Sequence, residues 1–349
     1  MSTFHSLKIA SVIKETPDAI SVSFEIPELL KSTFQFIPGQ YITILHQLNG
    51  EEVRRSYSIC STTQDRNLKI AIKAVKNGTF SVFANQELKA GTYLDVSSPE
   101  GRFTIDIASN NQKNYAAFVA GSGITPVFSI IKTVLEKESN STFILVYGNK
   151  NPNQTIFHQE LHDLELKYTG RLFIHFVYSQ AHVEPHFFGR IDKSVVNAIV
   201  RNKYKTLDFS QFFICGPEQM IDVVYDTLIE NSISEEQIKF ELFTSSTKET
   251  TITQTDGQCE VTVLVDDEET TFVMSNKLTL LDAALKQGLD VPYSCQGGIC
   301  SSCMCRILKG TAEMKKNSIL TDSEIAEGLI LSCQAVPTSE TISIDFDDV

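Results

Sequence analysis

The chain has 349 residues, of which 42% are hydrophobic and 21% are charged, and its 43 acidic and 30 basic side chains give a net charge of −13. This length predicts two or three domains. No apolar run approaches the roughly 20 residues that a membrane-spanning helix requires, and an acidic surface argues against a nucleic-acid partner. We also find no basic and apolar leader, which predicts a cytoplasmic protein.

The negative charge is concentrated near the C-terminus. Residues 259–349 contain 15 acidic and 6 basic side chains, a net charge of −9. Such a surface suits electrostatic steering toward a basic partner. Simple solubility explains the same charge equally well, so the composition alone leaves both explanations open.

The first part of the chain, residues 1–109, is predicted to form an antiparallel β-barrel. Short β-rich segments alternate with turns, and only a short helix at 81–88 interrupts them. The predicted strands cover 6–15, 19–26, 40–48, 54–61, 67–75 and 93–98.

Residues 110–245 have a different period, in which apolar strands alternate with helices. This alternation predicts a parallel α/β sheet. The predicted strands cover 115–120, 143–147, 172–178, 211–215 and 238–243, and the helices cover 126–136, 156–166, 193–201 and 218–231. The polar run at 244–251 predicts a linker, placed at 246–258, and a third domain follows at 259–349.

Four cysteines in the third domain have the spacing C-x4-C-x2-C followed by a distant fourth: Cys295, Cys300, Cys303 and Cys333. This is the plant-type spacing for a [2Fe-2S] cluster. Gly297 and Gly298 allow backbone amides to approach the sulfur atoms. Zinc is the other metal considered, but it usually takes two short-spaced pairs. Cys305 matches a ligand position by spacing alone, yet it begins an apolar run and is predicted to be a buried structural cysteine.

Two motifs in the barrel are suited to a flavin dinucleotide. The first is Arg55-Ser56-Tyr57-Ser58 at a strand end, and the second is Gly78-Thr79-Phe80-Ser81 at the start of the short helix. A guanidinium, an aromatic ring and helix-start amides can together hold a ring system and its phosphates. Each motif taken alone also fits an ordinary surface strand or a capped turn.

Two turns in the α/β region are suited to a nicotinamide dinucleotide. Gly121-Ser122-Gly123-Ile124-Thr125-Pro126 joins a buried strand to a helix for which Pro126 is the predicted first residue. The third glycine of the usual fingerprint is missing, so a plain turn remains an alternative. Cys215-Gly216-Pro217 follows the fourth strand, at the edge where open α/β sheets bind ligands. Spacing does not decide whether Cys215 faces a nicotinamide or is an inert core residue.

Taken in order, these motifs resemble the ferredoxin-NADP reductase superfamily with an appended plant-type ferredoxin domain. Within it the chain is most similar to the reductase subunits of phenylacetyl-CoA epoxidases, which act in phenylacetate degradation. The passages that carry this resemblance are 146–150, 212–217, 280–285, 291–295 and 330–335. The resemblance covers essentially the whole chain and implies a barrel FAD domain, a parallel-sheet nucleotide domain and a β-grasp-type ferredoxin domain.

The resemblance also implies roles for individual residues. Arg55 would contact the FAD phosphates with Ser56 beside it, Tyr57 would pack on the isoalloxazine, and Ser58 would lie near its reactive N5. The flavin pyrophosphate would be lined by Gly78, Phe80 and Ser81, with Ile72 and Lys73 alongside. The nicotinamide dinucleotide would contact Gly121, Gly123, Thr125, Pro126, Cys215, Gly216 and Pro217. Ser58, Cys215 and Glu241 would be catalytic, and Phe243 would shield the flavin or belong to the core.

The implied activity passes electrons from NAD(P)H through FAD and the [2Fe-2S] cluster to a partner diiron oxygenase, most closely the phenylacetyl-CoA epoxidase complex. Nicotinamides give hydride, whereas flavins can release single electrons to a cluster. NADPH is preferred over NADH because Asn149-Lys150 and Ser179-Gln180 follow strand ends without an adjacent carboxylate. The polar linker predicts that the ferredoxin domain moves during turnover. Alternatives are the reductase of another multicomponent oxygenase or hydroxylamine-related system, and a non-enzymatic redox or metal sensor.

Overall fold

A computed structural model describes residues 3–243 and 257–349. The chain divides into two compact units, one spanning Phe4–Phe243 and the other containing the described residues from 257 to 349. The linker predicted at 246–258 falls mostly outside the described residues. That linker, its role in domain motion and the domain boundaries therefore remain predictions.

The first part of the larger unit is the expected antiparallel barrel. Its strands are β1 (Phe4–Thr16), β2 (Ala19–Glu25), β3 (Tyr41–Leu48), β4 (Glu51–Ser58), β5 (Leu68–Lys73) and β6 (Tyr93–Ser97). They pair antiparallel in the order β4-β3-β6-β1-β2-β5. A bridge between Ile59, just after β4, and Ile70 in β5 closes the sheet on itself.

Alternating side chains fill the barrel. Val22 and Phe24 of β2 and Ile70 of β5 are buried in one core cluster, as the period of two in a strand requires. The short helix α1 (Thr79–Glu87) contributes Phe80 and Ala84 to the same cluster. The helix therefore belongs to the barrel, and its first turn is fixed relative to β5.

The second part of the larger unit is the expected parallel sheet. Its elements are β7 (Asn114–Ala120), α2 (Ile124–Lys137), β8 (Thr142–Asn149), α3 (His158–Lys167), β9 (Leu172–Tyr178), β10 (Phe187–Phe188), α4 (Lys193–Asn197), β11 (Phe209–Gly216), α5 (Glu218–Glu230) and β12 (Ile238–Leu242). The strand order is β10-β9-β8-β7-β11-β12. Strands β8, β9 and β10 are added on one side of β7, whereas β11 and β12 lie on its other side. This switch in strand order creates a crevice at the carboxyl ends of β7 and β11, where ligands bind in such folds.

Details of three elements differ from the sequence-based expectation. Pro126 is not the first residue of its helix, because a 3₁₀ turn at Gly121–Gly123 leads directly into α2 at Ile124. Proline is still tolerated there because first-turn amides need no intrahelical acceptor. The helix expected at 193–201 is α-helical only to Asn197 and continues as a π-helix over Ala198–Lys203. Strand β10 was not predicted because two residues carry no periodic signal.

The described part of the smaller unit contains a mixed five-stranded sheet, a two-stranded sheet and two short helices. Its elements are β13 (Gln258–Val265), β14 (Glu268–Ser275), α6 (Leu280–Lys286), β15 (Met304–Lys309), β16 (Ala312–Met314), α7 (Asp322–Ala326), β17 (Leu329–Leu331), β18 (Ala335–Pro337) and β19 (Thr341–Asp345). The main sheet has the order β14-β13-β19-β15-β17, with β13 and β19 parallel. Leu280, Leu281 and Ala284 of α6 join its core. The cysteine-rich loop lies between α6 and β15.

Within the described ranges, 3–243 and 257–349, no helix is both long enough and apolar enough to cross a bilayer.

Candidate functional site

The two glycine-containing turns of the nucleotide domain meet at the crevice between β7 and β11. A Cβ atom on Gly123 would overlap the backbone carbonyl of Cys215, and one on Gly216 would lie 3.2 Å from the Cβ of Ala120. Gly123 is thus required by contact between two backbone segments of the protein. The sequence suggested that this glycine makes room for a pyrophosphate, whereas the structure supplies a packing reason.

Gly121 has a different requirement. Its φ of +56° lies in the left-handed region, and a Cβ there would meet only the Lys73 Nζ atom, at 4.0 Å. Lys73 comes from the end of β5 in the barrel and forms an ion pair with Asp18 at 3.6 Å. The structure thus brings a cation of the barrel beside the first turn of the nucleotide domain. Asp18 was not singled out from the sequence, because no motif surrounds it.

The three residues proposed as catalytic lie close together in the structure. Cys215 on β11 is the register partner of Glu241 on β12, and the Ser58 hydroxyl donates to Glu241 Oε2 at a distance of 3.5 Å. Burial raises the pKa of Glu241 to about 8, although the bond from Ser58 opposes this shift. Burial, followed by the charge of Glu241, raises the pKa of Cys215. The carboxyl group is therefore mostly protonated at neutral pH.

The Arg55–Ser58 segment forms the end of β4. Arg55 is exposed, Tyr57 is half-buried, and Ser58 is only 4% exposed. The Ser56 hydroxyl lies 3.2 Å from that of Thr43, and the Tyr57 ring lies 5.9 Å from the ring of Phe80. Burial raises the pKa of Tyr57. The strand thus places a cation at the surface and an aromatic ring at the barrel wall.

The start of α1 offers backbone groups to a ligand. Gly78 is the N-cap and has no capping side chain, so first-turn amides keep their donor capacity. Such a helix start favours anions. Ser81 Oγ accepts a hydrogen bond from the Val75 amide at 3.3 Å. The side chains of Phe80 and Ile72 are in the barrel core, at 1% and 0% exposure, so any ligand contact at these two positions would involve their backbone atoms.

Three further residues singled out from the sequence are largely turned inward. Thr125 and Pro126 are buried, and the Thr125 hydroxyl donates to the Ser122 carbonyl at 3.0 Å. Phe243 lies just beyond β12, is half-buried and packs against the core cluster that contains Cys215. Both explanations of Phe243, as a flavin shield and as a core residue, remain open.

The four cysteines of the C-terminal unit form two pairs. The Cys300 thiol donates to Cys295 Sγ at 3.1 Å, which lowers the pKa of Cys295 and raises that of Cys300. Cys303 and Cys333 interact in the same way, with the pKa of Cys303 raised and that of Cys333 lowered. The Gly297 amide donates to Cys295 Sγ at 3.4 Å. Two thiol pairs suit a cluster in which each of two irons takes two cysteines.

The fifth cysteine of this region, Cys305, lies in β15 and is fully buried. Burial and the nearby Asp345 raise the pKa of its thiol. In the described part of the chain, no group of three or more candidate ligands is arranged around a single metal ion. The two thiol pairs, which do not include Cys305, fit a two-iron cluster. Gln334, which contacts Cys333, was missed from the sequence although it is the adjacent residue.

Comparison with known proteins agrees with this architecture. Family models match residues 6–105 as an oxidoreductase FAD-binding domain, 118–226 as an oxidoreductase NAD-binding domain and 263–338 as a 2Fe-2S iron-sulfur cluster binding domain. One of the subunits of the 1,2-phenylacetyl-CoA epoxidase of Escherichia coli K12 is 38% identical over 99% of both chains. The chain belongs to this family of flavin and iron-sulfur reductases. The resemblance inferred from the motifs is confirmed.

Other relatives are reductases as well. The ferredoxin reductase component of a 3-ketosteroid-9-alpha-monooxygenase from Rhodococcus rhodochrous is 32% identical, with 97% of this chain and 96% of the relative covered. The fold of phthalate dioxygenase reductase is similar, with a TM-score of 0.61, 24% identity and 98% of both chains covered. The protein is an electron-transfer oxidoreductase that uses a nicotinamide nucleotide, FAD and a [2Fe-2S] cluster.

Proposed function

We propose that this reductase supplies electrons to a diiron oxygenase of the phenylacetyl-CoA epoxidase type. The observation that carries the proposal is the 38% identity, across the whole chain, to the epoxidase component from Escherichia coli. All three electron-carrying modules occur in one polypeptide. When bound, FAD accepts hydride from the nicotinamide and releases single electrons to the cluster. We place this reaction in the cytoplasm.

In the barrel, the flavin would be held by β4 and the start of α1. Arg55 is exposed and can pair with phosphates, Tyr57 offers a ring face, and the amides beside Gly78 and Ser81 suit a pyrophosphate. Ser58 would orient the reactive edge through its hydroxyl, which also donates to Glu241.

At the crevice, the backbone of Gly121 and Gly123 would contact the dinucleotide beside Cys215, Gly216 and Pro217. The protonated Glu241 keeps negative charge away from this part of the site at neutral pH. Lys73, beside Gly121, is placed to neutralise phosphate charge. The residues of this chain thus bind and orient the reactants, while Ser58 and Glu241 hold a proton between them.

In the C-terminal unit, Cys295, Cys300, Cys303 and Cys333 would bind the cluster. The pairing of Cys300 with Cys295, whose sulfur atoms are 3.1 Å apart, and of Cys303 with Cys333 supports this assignment. Metal ligation requires these thiols in their thiolate form.

We further propose NADPH as the preferred donor. Ser179 N donates to the Asn149 carbonyl and Gln180 N to the Lys150 carbonyl, so the ends of β8 and β9 adjoin. Lys150 is exposed and cationic there, which suits a 2′-phosphate. We expect faster cytochrome c reduction with NADPH than with NADH. Lys150→Ala should raise the KM for NADPH much more than the KM for NADH, and a large NADH preference in the unmodified protein contradicts this choice.

The partner is tested by reconstitution. Purified reductase, NADPH, O2 and the oxygenase subunits of a phenylacetyl-CoA epoxidase should convert phenylacetyl-CoA to its epoxide and water at a rate that saturates with the reductase. Because another relative is the reductase component of a 3-ketosteroid monooxygenase, the oxygenase of that system in place of the epoxidase subunits is the matched control. Equal coupling to a 3-ketosteroid monooxygenase and to the epoxidase would contradict a dedicated partner.

A further inference from the structure

Gln334 links the segment of the fourth cysteine to the loop of the first three. Its Nε2 atom lies 3.0 Å from the backbone carbonyl of Gln296 and 3.8 Å from Cys333 Sγ. A side-chain amide has two N–H donors, so both bonds can form at once. One side chain therefore contacts a ligand sulfur and the backbone next to another ligand, Cys295.

Two backbone hydrogen bonds hold the main chain of Gln334, and the side chain packs closely over Gly298. The Gln334 amide donates to the Leu331 carbonyl at 2.9 Å, and the Gln334 carbonyl accepts from the Lys315 amide at 2.9 Å. Gly298, with a φ of +70°, packs against the Gln334 side chain, and a Cβ atom at position 298 would be 3.0 Å from Gln334 Cγ. Any larger residue at position 298 would displace the glutamine.

Apart from the cysteine thiols themselves, donors to these sulfur atoms also come from the backbone. The Gly297 amide donates to Cys295, and the Gly298 amide acts on Cys333. Backbone donors cannot be removed by substitution without distorting the loop. Gln334 therefore offers a donor to a ligand sulfur that can be deleted on its own.

We propose that Gln334 is a positioning residue for the [2Fe-2S] cluster. Its side-chain amide raises the reduction potential of the cluster and holds the cysteine loop against the segment of Cys333. Reduction adds one electron, and so one negative charge, to the cluster and its thiolates. An N–H donor at a ligand sulfur stabilises the more negative state. The inference rests on the proposed assignment of the four cysteine ligands.

The test is an EPR-monitored redox titration of the full-length holoprotein. Gln334→Met keeps the length of the side chain but removes both donors, and we expect about a tenfold smaller equilibrium constant for cluster reduction, or a potential lower by about 59 mV for this one-electron couple. Gln334→Glu also lacks the donors and adds charge, so its potential should fall further. The cluster should also be lost faster on exposure to a chelator in both variants.

Gln287→Met is the matched control, because Gln287 is exposed at the end of α6 in the same unit. Its potential and rate of cluster loss should equal those of the unmodified protein. If Gln334→Met does not retain a cluster, the potential of Gln334→Leu, which also lacks the donors and adds no charge, decides the question. Unchanged potentials in the variants that retain the cluster overturn the role of Gln334 alone. Absence of a [2Fe-2S] spectrum from the unmodified protein overturns both this role and the ligand assignment.

Discussion

At the scale of single residues, Glu241 is a carboxyl group whose environment favours the neutral form. Its partners are the Ser58 hydroxyl and the buried Cys215 thiol, and neither is a cation. Burial away from water is therefore the largest influence on this carboxyl group, and it raises the pKa of Glu241 to about 8. The sequence placed Glu241 at the end of the reductase module by resemblance, but the protonation state depends on burial that only the folded chain shows.

This raised pKa predicts a pH-dependent effect on stability. In the unfolded chain Glu241 ionises near the ordinary glutamate pKa of 4.5, whereas in the folded protein it ionises near 8. The stability contribution of the neutral group is therefore fully present below pH 4.5 and is lost progressively up to pH 8. Glu241→Gln should match the unmodified protein at pH 4.5 and be more stable at pH 8, by about 4 kcal/mol.

Urea denaturation at both pH values measures this difference. Glu160→Gln is a suitable control, because its side chain is more exposed and pairs with Lys69. A stability difference for Glu241→Gln that does not change with pH contradicts the raised pKa.

The choice between Cys303 and Cys305 also belongs to the residue scale. Cys303 interacts with Cys333, whereas Cys305 is a fully buried residue of β15. Cys303→Ser should therefore abolish the native visible and EPR spectrum of the cluster. Cys305→Ser should leave the spectrum intact and cost about 1–2 kcal/mol of stability, because it buries a hydroxyl in an apolar core. A normal cluster in Cys303→Ser would reverse the assignment.

At the scale of elements, Gly121 and Gly123 of one turn at the crevice are required for different reasons. Gly123→Ala would place a methyl group on the Cys215 carbonyl, so one of two backbone segments must move. We expect a loss of about 3 kcal/mol in stability and a raised KM for NADPH. Gly121→Ala would make only an ordinary van der Waals contact with Lys73 Nζ, so its cost is backbone strain of about 1 kcal/mol.

Thermal unfolding and steady-state kinetics of these two variants provide the comparison. Because the two glycines belong to the same short turn, each variant serves as the control for the other. Equal destabilisation by both substitutions would show that the contact with Cys215 is not what fixes Gly123.

The sequence predicts those elements that depend on local patterns, and it does not predict contacts between residues that are distant in the chain. The apolar runs of β7, β8 and β9 identify a buried parallel sheet by composition, and the folded chain has these strands. The predicted first residue of α2, Pro126, was wrong. Local signals favour proline at the first helical position, but a 3₁₀ turn leads into the helix already at Ile124. The approach of Lys73 to Gly121 joins distant parts of the chain and leaves no local pattern.

At the scale of the whole molecule, the barrel and the nucleotide domain form a single compact unit. The Ser129 hydroxyl donates to the Ser61 carbonyl at 2.6 Å, and Lys239 Nζ donates to the Thr104 carbonyl at 2.7 Å. Lys69 of the barrel also pairs with Glu160 of α3 at 3.0 Å. These contacts join the FAD-binding and NAD-binding regions within residues 4–243.

A fragment of residues 1–243 should therefore fold, bind FAD and transfer electrons from NADPH to a two-electron dye such as dichlorophenolindophenol at nearly the full-length rate. Because it lacks the cluster cysteines, its cytochrome c reduction should fall at least tenfold. Full-length Cys303→Ser is the matched control, since it keeps every domain but loses the native cluster. Cytochrome c reduction by the fragment at the full-length rate would show that electrons leave from the flavin, and that the C-terminal unit is not the outlet.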